Sequence, residues 1–189
     1  MNFSNLRHTF CSFILLISLA LSQPLGLYAE DWPQWGGHDA RNMISSETGL
    51  PDSFVPGEKD TQGGGIVMAT TRNVQWTTRL GSYAYGNPVV AGGRLFVGTD
   101  IKSLASDSRF KHTKGGLVKC LDETTGKLLW QLITPERRKL PAEMHFGQQH
   151  LGTCSSAIVE GDRVYVVTSA GEVVCLDTAH PSPPTAPSS

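Results

Sequence analysis

The sequence predicts an all-β protein, a partial β-propeller of four-stranded antiparallel blades with about one and a half blades visible, behind an irregular N-terminal lead-in. Three observations carry that expectation. A strand–turn–strand unit occurs twice, glycine clusters separate short apolar runs, and one strand is apolar on both faces, as a sheet covered on both sides requires. Twenty of the 189 residues are glycine, hydrophobic residues make up 39% and charged residues only 17%. That composition belongs to a globular, turn-rich chain and not to a disordered one. With 16 basic against 17 acidic residues the net charge is −1. A nucleic-acid-binding domain would carry a clear basic excess, so that class is excluded as a partner.

Residues 1–29 read as a signal peptide. Arg7 and His8 supply a short positive start, and Phe10 to Leu21 form a charge-free apolar core. Small residues offer two cleavage points, after Ala29 or after Ser22, and the first is preferred because the polar sequence begins there. The apolar run is followed by Pro24 and is short for a membrane span of about 20 residues. Export with no transmembrane span after cleavage is therefore expected, to the periplasm or cell envelope. Cys11 lies too early to be a lipoprotein cleavage cysteine. Beyond the leader stand Cys120, Cys154 and Cys175. Three thiols permit one disulfide or none. Cys120 and Cys175, inside strand-like runs, are expected as small buried apolar side chains.

Residues 30–72 form the lead-in. Trp32-Pro33-Gln34-Trp35-Gly36-Gly37, Pro51, Pro56 and Gly63-Gly64-Gly65 punctuate it, and no sustained period of 3.6 or 2 runs through it.

Residues 73–177 carry the repeats. Val89-Val90-Ala91-Gly92-Gly93-Arg94-Leu95-Phe96-Val97 reads as strand, tight turn, strand, and Ile158-Val159-Glu160-Gly161-Asp162-Arg163-Val164-Tyr165-Val166 reads the same way at an offset of 69. Gly116 to Asp122 then matches Gly171 to Asp177 at an offset of 55, the difference being an insertion, Ile101 to Lys114, in the first copy. The first copy supplies strands at Pro88–Ala91, Arg94–Thr99, Gly116–Leu121 and Lys127–Leu132, and the second supplies the first three. Val164-Tyr165-Val166-Val167, apolar on both faces, predicts a sheet covered on both sides. A β-sandwich is the alternative architecture.

Between the third and fourth strands stands Leu121-Asp122-Glu123-Thr124-Thr125-Gly126-Lys127-Leu128-Leu129-Trp130. Asp122 can accept hydrogen bonds from turn amides, Gly126 supplies positive φ for the reversal, and Trp130 offers a large surface to bury between units. This pattern, L-D-x-x-T-G-x-x-x-W, resembles the tryptophan-docking repeat of the PQQ-like (quinoprotein-type) β-propellers. That family includes the quinoprotein alcohol dehydrogenases and the BamB-type outer-membrane assembly lipoproteins. The lead-in Asp31 to Gly37 and the stretch Gly86 to Arg94 also resemble the opening of exported bacterial members. The resemblance spans about Asp31 to Asp177 and implies structural roles for Asp122, Thr125, Gly126, Trp130 and Asp177. Trp76 has the position of a fourth strand preceding the first copy, where it would begin or close a ring. After Asp177 the motif gives way to a Pro/Ser-rich tail, residues 178–189, that cannot form a fourth strand. The expectation is a propeller cut off in its second blade. A short form completing a ring from several copies, and a fragment that does not fold stably, are the alternatives.

Chemistry would sit on loops. In an antiparallel blade the loop after the second strand and the connection after the fourth emerge on one side, and both large insertions, 101–114 and 133–153, fall there. Lys102, Arg109, Lys111 and Lys114 against Asp107 give the first a charge of +3, and Arg137, Arg138 and Lys139 against Glu136 and Glu143 give the second +1. An anionic ligand or partner is what this points to, and the resemblance implies envelope proteins as partners. His145 and His150, near Cys154, meet no standard metal spacing, so no metal is assigned. No phosphate loop, nucleophile elbow or zinc-protease motif is present. The resemblance implies two functions: a non-catalytic binding or scaffold module, or a fragment of a quinoprotein dehydrogenase using PQQ with calcium. The dehydrogenases often carry an adjacent Cys–Cys pair, which this chain lacks. The scaffold is the preferred reading, with no cofactor expected and no catalytic residue assigned.

Overall fold

The computed structural model describes residues 30–62, 64–111, 114–135 and 151–179. Three antiparallel sheets build it, with no α-helix among the described residues. The signal peptide, the residues between Pro135 and Leu151, and the tail from His180 lie outside the description.

In the lead-in, β1 (Glu58–Lys59) and β2 (Ile66–Val67) form a minimal hairpin, prolonged by a bridge between Val55 and Arg72. The first large sheet contains β3 (Val89–Ala91), β4 (Arg94–Asp100), β5 (Gly115–Asp122) and β6 (Leu128–Pro135) in sequential order. Gly92 and Gly93 join β3 to β4 with positive φ at both positions, 58° and 74°. A two-residue turn of that shape matches the twist of the strands it joins. The second sheet orders β7 (Ile158–Glu160), β8 (Arg163–Val167) and β9 (Val173–Asp177) in the same way. The strands predicted from the repeat are thus observed to within a few residues.

Register arranges the core. Across the first sheet Val89 opposes Phe96, Phe96 opposes Cys120, and Cys120 opposes Trp130. The last match needs a bulge in β6: Leu121 pairs with Leu128, so Leu129 is the extra residue. Without it Leu129 would oppose Cys120. The bulge re-aims the strand so that Trp130 joins the row, its ring 5.8 Å from that of Phe96. This row, with Val118, packs on Ala157, Val164, Val166 and Leu176 of the second sheet. Phe96 is 0% exposed, and burial of such a side chain contributes roughly 1.5–3 kcal/mol. Cys120 lies in this core as expected, and burial pushes its thiol pKa up to about 12.

The opposite face of the first sheet is covered by the segment before β3. Lys119 is 7% exposed, and its ammonium donates to the Arg79 and Leu80 carbonyls at 3.1 and 3.0 Å. The Thr99 hydroxyl donates to the Tyr83 carbonyl at 2.7 Å. Both faces of this sheet are closed.

The second sheet corrects two expectations. Val164 and Val166 are buried, but Val167 is 46% exposed and Val173 is 71% exposed. Cys175 is exposed as well. Only one face of β8 is covered, because among the described residues no segment lies over the other. Trp76 also departs from expectation, since residues 73–77 form no strand.

The lead-in is irregular, as expected, yet it is tied to both sheets. Trp32 exchanges two backbone hydrogen bonds with Val90 of β3, at 2.7 and 3.0 Å. The Asp31 carboxylate accepts from the Gly92 amide, and Val159 of β7 donates to the Pro33 carbonyl at 2.8 Å. One short segment therefore caps the leading edge strand of each sheet. Gly37 makes the approach possible, since a Cβ there would stand 2.9 Å from the Trp32 ring.

Candidate functional site

Two places in this framework gather polar chemistry: the turns where the sheets dock, and the loop between β4 and β5.

The turn after β5 is built by Asp122. Its Oδ1 accepts from the Thr125 amide at 2.8 Å and the Thr125 hydroxyl at 2.6 Å, while its carbonyl accepts from the Gly126 amide at 2.8 Å. The Thr125 hydroxyl, with the turn amides, holds the Asp122 carboxyl below its ordinary pKa. Gly126 has φ of 68°, and a Cβ on it would lie 2.3 Å from the Trp76 ring. The Trp76 indole N–H donates to the Glu123 carbonyl at 2.8 Å, and the Gln75 side-chain amide donates to Thr124 O at 2.9 Å. The second sheet repeats the bond. Trp130 donates its indole N–H to the Thr178 carbonyl at 2.9 Å, and the Asp177 Oδ1 accepts from the Ala179 amide at 2.7 Å. The turns are braced from behind alike, Glu123 N to Gly93 O at 3.1 Å and Thr178 N to Asp162 O at 2.9 Å. Each tryptophan is thus seated on the turn of the following unit, its one polar atom satisfied.

The β4–β5 loop leaves the other end of the sheet. Asp100, 1% exposed, closes β4. Its Oδ1 accepts from the Lys102 amide at 2.7 Å, which starts a short 3-10 turn over Ile101–Leu104. Its Oδ2 accepts from the Ser82 and Tyr83 amides at 2.8 and 2.7 Å. Nearby, burial lowers the pKa of the Lys119 ammonium, and the Asp100 carboxylate opposes that shift. A second 3-10 turn, Ser108–Phe110, is capped by Asp107, whose carboxylate also takes the Arg109 guanidinium at 2.7–3.2 Å. That pairing holds Asp107 below its ordinary value and raises Arg109.

Of the residues predicted for a binding face, Lys102 and Lys111 line one cleft together with Lys114, Asp100, Ile101, Ala105 and Phe110, a space of about 180 Å³. Arg109 does not join them; it is spent on Asp107 and lies 5.2 Å from the Phe110 ring centroid. Lys102 is held with its ammonium 4.6 Å from the Tyr83 ring centroid. Arg137, Arg138, His145 and His150 lie outside the described residues. Cys154 is exposed at its backbone turn, its thiol pKa pushed up by partial burial. Sequence reasoning missed Asp100, Lys119, Tyr83 and Phe110. The signal for one was present: a lysine inside the apolar run Leu117 to Leu121 requires a buried partner.

Among the described residues no group of three or more His, Cys, Asp or Glu side chains is placed to hold a metal ion. Asp100 and Asp107 have both carboxylate oxygens engaged by amides or a guanidinium, and Asp122 has its Oδ1 on the Thr125 amide and hydroxyl. Committed in this way, Asp100 and Asp107 do not fit a calcium–quinone site. No described helix is long and apolar enough to cross a membrane.

Comparison with known proteins agrees with the docking geometry. A family model described as outer membrane protein assembly factor BamB matches residues 60–179. No curated protein sequence matches the chain. The matched span contains both tryptophan-docked turns and both large sheets, and the chain accordingly belongs to the PQQ-like, BamB-type repeat family.

Proposed function

We propose that this protein is exported and serves as a non-catalytic binding or scaffold module of the cell envelope, with its long loops as the contact surface and envelope proteins as partners. One observation carries the reading. The two tryptophans join one unit to the next through their indole N–H groups and Asp122 bonds Thr125 within its own turn, while the β4–β5 loop and the connection after β6 leave the sheet at one common end. A rigid frame with insertions gathered on one side is the usual arrangement of a binding module. The family description, an assembly factor of the outer membrane, supports the compartment and the class of partner.

The test is site-specific photo-cross-linking in living cells. A cross-linker at Lys111, on the loop end, is expected to capture an envelope protein, and one at Lys127, at the opposite end, is not. Equal capture from both positions, or none, rejects the loop-end assignment. A 1:1 absorbance change with PQQ and calcium, reversed by an alcohol, would replace this function with that of a quinoprotein dehydrogenase fragment.

A further inference from the structure

The cleft under the β4–β5 loop has an uneven chemistry. Its walls are apolar where Ile101, Ala105 and Phe110 stand, and its rim carries Lys102, Lys111 and Lys114. Among the described residues none of these three lysines has an ion-pair partner. The two acids within reach are already committed. Asp107 holds Arg109, and Asp100 is buried with its oxygens on three backbone amides. Three lysines therefore line one small space against a single carboxylate, Asp100, on a chain whose net charge is −1. Charges of one sign around a low-dielectric wall concentrate an anion there. The volume is about 180 Å³, below the roughly 300 Å³ at which sites for drug-sized ligands begin. Only a small body fits, such as a single ring, and a single ring can lie against Phe110.

We propose that this cleft binds a small aromatic carboxylate, its ring against Ile101, Ala105 and Phe110 and its carboxylate among Lys102, Lys111 and Lys114. The assignment rests on the reading of this loop as a binding surface and names the chemistry it selects. The buried Asp100 holds the floor, because the amides of Ser82, Tyr83 and Lys102 converge on its carboxylate at the root of the loop. A preformed floor lowers the ordering cost of binding.

The experiment is an amide chemical-shift titration of the full chain with three probes: benzoate, benzyl alcohol and inorganic phosphate. Benzoate is expected to move the Ala105 and Phe110 resonances saturably. Benzyl alcohol, with the ring but no charge, and phosphate, with charge but no ring, should each bind at least tenfold more weakly. Lys111→Glu with Lys114→Glu, both at exposed positions, should weaken benzoate at least tenfold while the β4 and β5 resonances stay in place. Phe110→Ala should weaken it as well. The proposal is overturned if benzoate leaves the loop resonances unmoved, if either control probe binds as tightly, or if the charge-reversed variant binds unchanged. Benzoate binding without envelope cross-links would sink the scaffold function and leave the pocket standing; the opposite pair of results would sink the pocket alone.

Discussion

The face of the first sheet that carries Phe96, Gly98, Val118 and Cys120 is closed, and the matching face of the second sheet, Tyr165, Val167, Val173 and Cys175, lies open. The two rows occupy equivalent positions in the repeat. Their strands have the same register and turn back through glycine at the same place. What differs is the neighbour. The second sheet packs on the first, and among the described residues nothing packs on the second. Burial in these strands is thus a property of the stack and not of the strand. The side chains also differ as that account requires. Gly98 admits the Thr153 backbone, and an exposed Val167 stands at the equivalent position. Phe96 is replaced by Tyr165.

The largest expected effect comes from the closed row. Phe96→Ala should cost about 3–5 kcal/mol in urea denaturation, as a buried aromatic does. Tyr165→Ala should cost less than about 1 kcal/mol, as changes away from a packed core do. Equal losses would mean that the open face is covered in solution. Next comes Gly98→Ala. Its Cβ would meet the Thr153 carbonyl at 2.4 Å, and overpacking of this kind costs about 1–3 kcal/mol. Val167→Ala should again fall below about 1 kcal/mol in the same assay.

A smaller effect sharpens the comparison from the other side, by what the two units share. Trp76→Phe and Trp130→Phe each remove one indole hydrogen bond to a turn carbonyl. Each should cost about 1 kcal/mol in thermal unfolding. A loss at one position only would show that the two docked turns are not equivalent. The smallest effect is electrostatic. The folded Asp122 carboxyl lies below its ordinary 3.8, so the unfolded chain takes the proton first. Its contribution is complete above pH 3.8 and drains away as pH falls through the lowered folded value. Acid-unfolding curves should be flatter in that window for Asp122→Asn, and Thr125→Ala, which removes the first cause of the shift, should flatten them too.

Much of this was legible in the residues. Gly92-Gly93 and Gly161 marked the hairpins because tight turns need positive φ, and Asp122 to Trp130 announced a turn followed by a buried ring. Trp76 reads from the sequence as part of a strand, because Trp130 lies in the fourth strand of the first copy. It reaches its seat from irregular backbone instead, since one hydrogen bond and the hollow at Gly126 suffice to hold it. Val164 to Val167 read as covered on both faces, because an apolar pattern records what a surface would bury and not whether a neighbour is present. The loop lysines read as a cluster in the sequence, but Arg109 cannot be removed from it without knowing that Asp107 turns back on it. Asp100 and Lys119 lie far apart in sequence and share a site only through the pairing of β4 with β5, which no local pattern states.

The strap from Asp31 to Pro33 has a consequence for the order of events at the ribosome. Its partners are Val90 and Gly92 in the first sheet and Val159 in the second. Chains emerge at roughly 5–20 residues per second, so the strap residues must wait until β7 has been synthesised before all their hydrogen bonds can close. Long loops of this kind lose entropy before their contacts repay it. The full set of the strap's hydrogen bonds therefore needs both sheets, and a chain lacking either one would leave it partly undocked.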